Sequence, residues 1–241
     1  MSVLAGVLKL LERQLGLWEL KRRLADMGKR PGRYMEGHVA YGPCLLVSRE
    51  RGSGGSRIAV LVAEQLGWHV FDREIVDEIA QLTHAREQLL NSLDKETRSH
   101  VEGTWRPELK PSDIGYEKYL RGLRQVVLTL GHHGDVVLLG RGAQFLLPAQ
   151  CALRVRVVAP LDLRVRRVVE TDKVPAAEAQ AHVQGFDSDQ ADFIQKCFQS
   201  DANSALNYDL IVNTGEISIQ GAAGIVLSAM RDKFGMQPPR K

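Results

Sequence analysis

Cysteine is scarce in this sequence of 241 residues, and its three cysteines lie far apart, at Cys44, Cys151 and Cys197. An odd number at such wide spacing argues against a disulfide framework, and it lacks the closely spaced ligand pairs of a structural zinc site. We therefore expect three free thiols in a reducing compartment, with the cytoplasm as the default location.

Long hydrophobic runs are missing too. No stretch approaches the ~20 apolar residues that a membrane-spanning helix needs, so we expect no membrane span. The N-terminus begins with apolar residues, but Lys9, Glu12 and Arg13 interrupt them early and no small-residue cleavage site follows. This pattern argues against a secretory signal peptide.

A strong excess of charge of either sign is also absent. Lysine and arginine number 32 against 29 acidic residues, which gives a formal net charge of +3 at pH 7. Proteins that bind nucleic acid usually concentrate a basic excess on one face, so we expect no nucleic-acid partner. The mild positive balance does suit a pocket that gathers phosphate groups.

Residues 1–43 differ in pattern from the rest of the chain. Within 1–27, apolar residues recur at three- and four-residue steps, which predicts a helix with a basic side. We expect this helix to pack on the domain or on a second subunit, making a homo-oligomer; a helix lying on a membrane surface is the alternative. Glycines and prolines interrupt 28–43, which we interpret as a linker.

The main domain is expected at 44–235, followed by a tail at 236–241. Short apolar runs here alternate with longer amphipathic ones, which predict helices. The five expected strands are 44–47, 68–71, 136–139, 153–158 and 209–212. Continuous apolar strands between helices are typical of an α/β fold with a parallel sheet covered on both faces. Residues 94–115 are polar and broken by glycine and proline, so we expect a loop there.

A glycine-rich stretch follows the first predicted strand and precedes the first predicted helix. Glycines at such a turn let backbone N–H groups converge on an anion, and the helix N-terminus adds the positive end of its dipole. We therefore expect the stretch to bind nucleotide phosphates, and the Ser56 hydroxyl to reach a bridging Mg²⁺. The phosphate-binding residues are Arg51, Gly52, Ser53, Gly54, Gly55 and Ser56. A purely structural turn is the alternative.

The stretch lacks the usual P-loop lysine. The usual pattern is GxxxxGKS or GxxxxGKT. Aligned on Gly54 and Ser56, Arg49 replaces the first glycine and Gly55 replaces the lysine. Because that lysine neutralises charge on the terminal phosphates, phosphoryl transfer would need another cation in its place. Arg57 is our candidate for this catalytic role, with Arg51 as the alternative.

Several motifs follow one another in the order and spacing of a known family. They are SRERGSGG at 48–55, LG at 66–67, FDRE at 71–74, LGRGA at 139–143, APL at 159–161, RVRR at 164–167 and YDLIVNT at 208–214. In these motifs the chain resembles the cytidylate kinase-like proteins, over about 44–230. The resemblance implies the three-layer P-loop fold of a nucleoside monophosphate kinase, with a five-stranded parallel sheet and a helical lid. It also implies transfer of the terminal phosphoryl group of ATP to CMP or dCMP, with Mg²⁺.

The same resemblance assigns further site residues. Asp72, Arg73 and Arg141 would lie at the acceptor nucleotide, and Arg164 and Arg167 would act on the transferring phosphoryl group. The residues themselves agree in part, because Asp72 and Arg141 follow predicted strands, at the edge where open α/β sheets bind ligands. Arg164 and Arg167 share a helix face. A helix cap for Asp72, an ion pair for Arg141 and a solvated surface for the other two are the alternatives.

The lid differs from the family pattern. An arginine is expected in the segment 186–192, but Gln190 stands there, and glutamine cannot neutralise a phosphate. Together with Gly55, this removes two cationic positions. The expected function is therefore an ATP-dependent nucleoside monophosphate kinase, and the alternative is a catalytically weak or inactive nucleotide-binding or regulatory module.

Overall fold

The computed structural model describes residues 34–36, 39–81, 83–103 and 114–236, and five single positions before them. Those five are Gly6, Lys9, Glu12, Arg13 and Gly16, each helical and exposed. The other residues of the predicted N-terminal helix, residues 104–113 of the predicted loop and nearly all of the tail lie outside the described residues. Oligomerisation through 1–27 therefore stays a prediction.

A sheet of five parallel strands forms the centre of the fold, as predicted. The strands are β3 (Cys44–Arg49), β4 (His69–Phe71), β5 (Val136–Leu139), β6 (Ala152–Val158) and β7 (Leu210–Asn213). Their spatial order is β4-β5-β3-β6-β7. The strand that leads into the glycine-rich stretch is thus central, between the strands that end near Arg141 and Ala159.

Helices cover both faces of this sheet. They are α1 (Gly55–Leu66), α2 (Arg73–Gln81), α3 (Thr83–Leu90), α4 (Lys95–Glu102), α5 (Ile114–His133), α6 (Leu161–Asp172), α7 (Ala176–Phe198) and α8 (Ile219–Phe234). Among the described helices, none combines the length and apolar character that crossing a membrane requires.

Alternation along β3 builds two separate cores. Leu45 and Val47 pack against α1 and α8, whereas Cys44 and Leu46 pack against the face covered by α2 to α5. Successive side chains of a strand point to opposite faces, so a run of apolar residues buries both sides of a central strand. The first polar residue of β3 is Ser48, near the carboxyl end of the strand.

Two helical predictions need correction. Part of the predicted loop 94–115 is helix α4, because Asp94 caps it by accepting a hydrogen bond from the Thr97 backbone N–H at 2.9 Å. The sequence pattern predicts two separate helical stretches, near 176–184 and 188–199, but both belong to one continuous helix, α7. Gly185 costs only about 1 kcal/mol relative to alanine in a helix, which is too little to end one that is packed on both sides of it.

The predicted linker 28–43 also needs correction. Strands β1 (Tyr34–Glu36) and β2 (Val39–Tyr41) pair there as an antiparallel hairpin. Val39 and Tyr41 are buried in the core, and the Tyr41 hydroxyl lies 3.2 Å from His100 Nε2 of α4. Burial raises the pKa of Tyr41 to about 12. Strands of three residues are too short to show a periodicity in the sequence.

Candidate active site

The glycine-rich stretch forms a tight turn between β3 and α1. Gly52 and Gly54 have φ angles of +77° and +85°, a region that side chains disfavour. A Cβ at Gly52 would lie 2.5 Å from the Arg164 carbonyl oxygen, so the turn also passes close to α6. The buried Ser53 closes the turn by donating its hydroxyl to the Glu50 carbonyl oxygen at 2.8 Å. The term "loop" refers from here on to residues 50–54.

Arg164 joins this loop to the lid helix α7. Its side chain is only 9% exposed. Its guanidinium donates to the Arg51 carbonyl oxygen at 3.2 Å and to the Asp187 carboxylate at 2.5 Å. It also donates to the Ala159 carbonyl oxygen at 2.9 Å and lies 3.3 Å from the Glu50 carboxylate. Two carboxylates and two carbonyls thus occupy this arginine, and it is not a solvated surface residue.

Arg167, one helical turn further on, holds the other side of the loop. Its Nη1 donates to the Ser53 carbonyl oxygen at 3.3 Å and to Thr214 Oγ1 at 2.9 Å. Thr214 in turn donates to the same Ser53 carbonyl oxygen at 2.7 Å. The two arginines that the sequence placed on one helix face therefore both contact the loop backbone.

A lid carboxylate already occupies one N–H group of the loop. The Arg51 backbone N–H donates to Asp187 Oδ1 at 2.8 Å, and the Arg51 side chain donates to Asp172 at 2.8 Å. Gln190 is also fixed, because its amide donates to Ser48 Oγ at 3.0 Å. Helix α7 is therefore held against the loop by its own polar side chains.

Ser56 and Arg57 lie exposed in the first turn of α1. Ser56 Oγ accepts a hydrogen bond from Arg49 Nε at 3.3 Å. Within the described residues, Arg57 makes no hydrogen bond and no ion pair. The structure thus brings the Ser56 hydroxyl to the loop but gives Arg57 no anchoring contact there.

A cavity of about 760 Å³ lies between α2, α5 and α7. Arg73 and Arg141 line it, together with Asp77, Tyr119 and Phe193. Asp77 accepts a hydrogen bond from the Arg141 guanidinium and another from the Tyr119 hydroxyl at 2.6 Å. Arg141 also stacks over the Phe193 ring at 5.0 Å. The ion-pair alternative for Arg141 is thus observed, and it holds the guanidinium at the cavity wall.

Asp72 takes its alternative role. Its Oδ1 accepts a hydrogen bond from the Ile75 backbone N–H at 2.9 Å, which makes it the N-cap of α2. In the part of the chain that the structure describes, Asp72 is not among the residues lining the cavity; Asp77, one turn further along α2, is.

Sequence reasoning missed several residues of this region. Asp77 stands four residues after Arg73, a spacing that places both on one helix face and signals a shared site. Phe186 gave no such signal, yet the guanidinium groups of Arg49, Arg51 and Arg73 lie 5.8, 5.3 and 5.6 Å from its ring centre. Cation–π contacts of this kind depend on tertiary packing.

No group of three or more His, Cys, Asp or Glu side chains that could hold a metal ion is found among the described residues. A divalent cation at the loop would thus be bound by the Ser56 hydroxyl and by the phosphates of the bound nucleotide. That is the usual situation for Mg²⁺, which is bound through few protein ligands plus substrate phosphates.

Comparison with known proteins agrees with this geometry. The sequence model of the cytidylate kinase-like family matches residues 46–216. A cytidylate kinase of Halobacterium salinarum is 27% identical over 189 residues, which are 77% of this chain and 88% of that protein. The crystal structure of an uncharacterized protein from Eubacterium ventriosum matches with a TM-score of 0.60 at 18% identity, over 79% of this chain and 98% of that one.

Proposed function

Because this chain belongs to the cytidylate kinase-like family, we propose that it is an ATP-dependent nucleoside monophosphate kinase that phosphorylates CMP or dCMP with Mg²⁺. One observation supports the proposal: a small pocket lined by Arg49, Arg73 and Arg141 adjoins the 760 Å³ cavity, with which it shares Arg73 and Arg141, and Arg49 directly precedes the loop. Direct transfer requires two substrates held in line, and phosphoryl transfer depends mainly on positioning and charge.

The ATP side consists of residues 51–56. Gly52 and Gly54 have positive φ angles, and glycines in such a turn suit a backbone whose N–H groups converge on a polyphosphate. The start of α1 adds its dipole. The exposed Ser56 hydroxyl would hold Mg²⁺, which when bound neutralises charge on the phosphates. In this proposal, Arg164 and Arg167 position the loop backbone and do not contact the moving phosphoryl group themselves.

The acceptor side is the cavity. Arg73 and Arg141 would contact the acceptor phosphate, because a planar guanidinium suits two parallel hydrogen bonds to a phosphate. Asp77 and Tyr119 would keep Arg141 oriented. Asp72 would contribute indirectly, by fixing the start of the helix that carries Arg73.

Release of ADP in the presence of ATP, Mg²⁺ and each of CMP, dCMP, UMP and AMP tests the proposal. We expect turnover with CMP or dCMP well above the other two. Arg73→Ala should raise the KM for the acceptor at least tenfold and leave ATP affinity unchanged, whereas Arg121→Ala, an exposed arginine paired with Glu117, should change neither. ATP binding without acceptor-dependent ADP release would reject the kinase proposal.

A second candidate is a nucleotide-binding regulatory module with weak or no turnover. The observation that favours it is the Asp187 carboxylate on the Arg51 N–H, at a loop that also lacks the usual lysine. Equal nucleotide affinity with and without acceptor, and no ADP release, would support it. Brisk turnover would exclude it.

A further inference from the structure

Directly after the loop, at Gly55, the first residue of α1, the structure has no room for a side chain. A Cβ built on Gly55 would lie 2.5 Å from the Cβ of Arg49 and 3.2 Å from the Cβ of Val157. Two Cβ atoms do not approach that closely, so Arg49 and a side chain at position 55 exclude each other. The glycine and the side chain of the usual pattern have therefore changed places: this chain carries the side chain at 49 and the glycine at 55.

The Arg49 guanidinium reaches from the loop toward the acceptor cavity. Its Nε donates to Ser56 Oγ at 3.3 Å, and its Nη1 lies 2.9 Å from where a Cβ of Gly140 would be. Gly140 follows β5 and precedes Arg141. Arg49 therefore crosses from the end of the central strand to the end of its neighbour, between the proposed Mg²⁺ ligand and the proposed acceptor arginine.

Within the described residues this guanidinium forms no ion pair, and its observed partners are the Ser56 hydroxyl and the Phe186 ring. Arg51 is paired with Asp172, and Arg164 with two carboxylates, but no carboxylate of the described residues lies within ion-pair distance of Arg49. Arg49 is nevertheless only 9% exposed. Burial lowers the pKa of its guanidinium, and the nearby charges of Arg51 and Arg73 act in the same direction. The carboxylates of Glu74 and Asp72 oppose this shift in pKa without reversing it. Arginine stays charged, so a buried and unpaired guanidinium is stabilised by an anion.

We propose that Arg49 contacts the terminal phosphates of ATP and so replaces the missing P-loop lysine. The inference rests on the proposed ATP site and assigns the loop cation to a residue other than Arg57. In the transfer, the bond between the γ-phosphorus and the oxygen that leaves with ADP breaks, while a phosphate oxygen of the nucleoside monophosphate bonds to that phosphorus. Arg49 neutralises charge on the phosphoryl group as it crosses, and no proton leaves Arg49.

Binding measured by calorimetry, with Mg²⁺ and each of ATP and AMP, tests this proposal directly. Arg49→Met keeps the stem beside Gly55 and removes the charge. It should weaken ATP binding about tenfold or more and leave AMP binding within about twofold, and lower kcat about 100-fold, the usual scale for losing one such charge contact. Arg49→Lys should restore part of the ATP affinity. Arg166→Met, which removes the same charge from a side chain that is 67% exposed, is the matched control and should change neither quantity.

The exchange of positions gives a second and independent test. Gly55→Lys alone should lower the melting temperature and ATP affinity, because its Cβ collides with that of Arg49. The double variant Arg49→Gly/Gly55→Lys recreates the usual pattern and should bind ATP more tightly than either single variant, a coupling expected of contacting residues. If Gly55→Lys alone folds and binds ATP like the unaltered chain, the two positions do not exclude each other and the inference fails.

The two proposals fail separately. If the unaltered chain binds ATP but releases no ADP with any acceptor, the kinase proposal falls, and the loss of ATP affinity in Arg49→Met still decides the role of Arg49. If turnover is present but Arg49→Met keeps full ATP affinity and rate, or if Arg57→Ala causes the loss instead, the role of Arg49 falls and the kinase proposal stands.

Discussion

The arginines around the loop carry the same charge but differ in the groups that surround them. Arg164 is enclosed by carboxylates and carbonyl oxygens. Arg51 is paired with one carboxylate, while its Nε is buried without a hydrogen-bond partner among the described residues. Arg57 lies in solvent. Arg49 is buried and forms no ion pair among the described residues, so an external anion would supply its counter-charge. These arginines therefore differ in the groups that each one contacts, and their positions in the motif do not show this difference.

At the residue scale, variants of Asp72 test whether this residue caps helix α2 or binds the acceptor nucleotide. Asp72→Ala should lower the free energy of unfolding by about 1 kcal/mol, because α2 loses its N-cap, and Asp72→Asn should lower it by less than half as much, since asparagine caps well. Urea unfolding of the three proteins measures this. Acceptor KM should change little in Asp72→Asn; a large rise there with unchanged stability would instead make Asp72 a direct acceptor ligand.

The sequence predicted which residues approach the site better than what each one does. Arg141, Arg164 and Arg167 lie at the loop or the cavity, because strand ends and helix periodicity determine where a side chain begins. The ion pairs of Arg164 could not be predicted, because Glu50 and Asp187 come from segments far apart in sequence. Arg49 was overlooked for a similar reason: its burial without an ion pair among the described residues is visible only in the packed structure.

At the element scale, the α6–α7 pair depends on Arg164. Arg164→Met leaves the Glu50 and Asp187 carboxylates without their guanidinium, and breaking a buried pair in this way costs about 3–5 kcal/mol. Arg166→Met is the matched control, because Arg166 is 67% exposed and lies 3.7 Å from an exposed Asp162, so its removal should cost less than about 0.5 kcal/mol. Chemical unfolding compares the two, and similar losses in both would contradict the assigned role of Arg164.

Asp209 connects three elements and should make stability depend on pH. Burial acts to raise its pKa, but hydrogen bonds from Arg154 of β6 and Lys233 of α8 outweigh it and lower the pKa to about 2. The folded carboxyl therefore binds a proton less readily than the unfolded one, whose ordinary value is 3.8. Its stabilising effect is present above that value and is lost as the pH falls toward 2.

Asp209→Asn tests this dependence. The variant should be less stable than the unaltered chain at pH 6, and the difference in urea midpoint should shrink below pH 4 and vanish near pH 2. A difference that stays constant across this range would show that the charge of Asp209 does not stabilise the fold.

The elements themselves were predictable to different degrees. The five strands of the main sheet were found because each is a short segment rich in Val, Ile, Leu or Phe that lies between helical patterns. Helix α4 was not found, because its eight residues are mostly polar and its buried side chains, Thr97 and Val101, are only two. The hairpin β1–β2 was missed because alternation over three residues, Val39 to Tyr41, is no stronger than chance.

At the scale of the whole molecule, a chain with a small net charge concentrates its cations at one edge. Arg49 is the last residue of β3, Arg73 lies just after β4, and Arg141 lies just after β5. Arg164 lies in the first turn of α6, which follows β6. Parallel strands place all these ends on the same side of the sheet, so topology alone assembles the positive region. The opposite face, covered by α1 and α8, contributes the apolar support that keeps β3 fixed.

The hairpin also decides where the folded unit begins. Sequence patterns placed the domain start at 44, but Tyr41 is 1% exposed and β2 packs on α5, which carries the Tyr119 that orients Arg141. We therefore propose that the unit begins at about 34. A chain of residues 44–241 should be less stable than one of 34–241 by at least about 3 kcal/mol, the usual cost of deleting one buried aromatic side chain.

The effect on binding should be unequal. Because the hairpin packs on α4 and α5, and α5 lines the acceptor cavity, acceptor affinity should fall more than ATP affinity when 34–43 are removed. Thermal unfolding and calorimetric titration of the two truncated chains with ATP and with CMP measure both quantities. Tyr41→Ala in the longer chain should reproduce most of the loss, and equal stability of the two chains would return the domain start to residue 44.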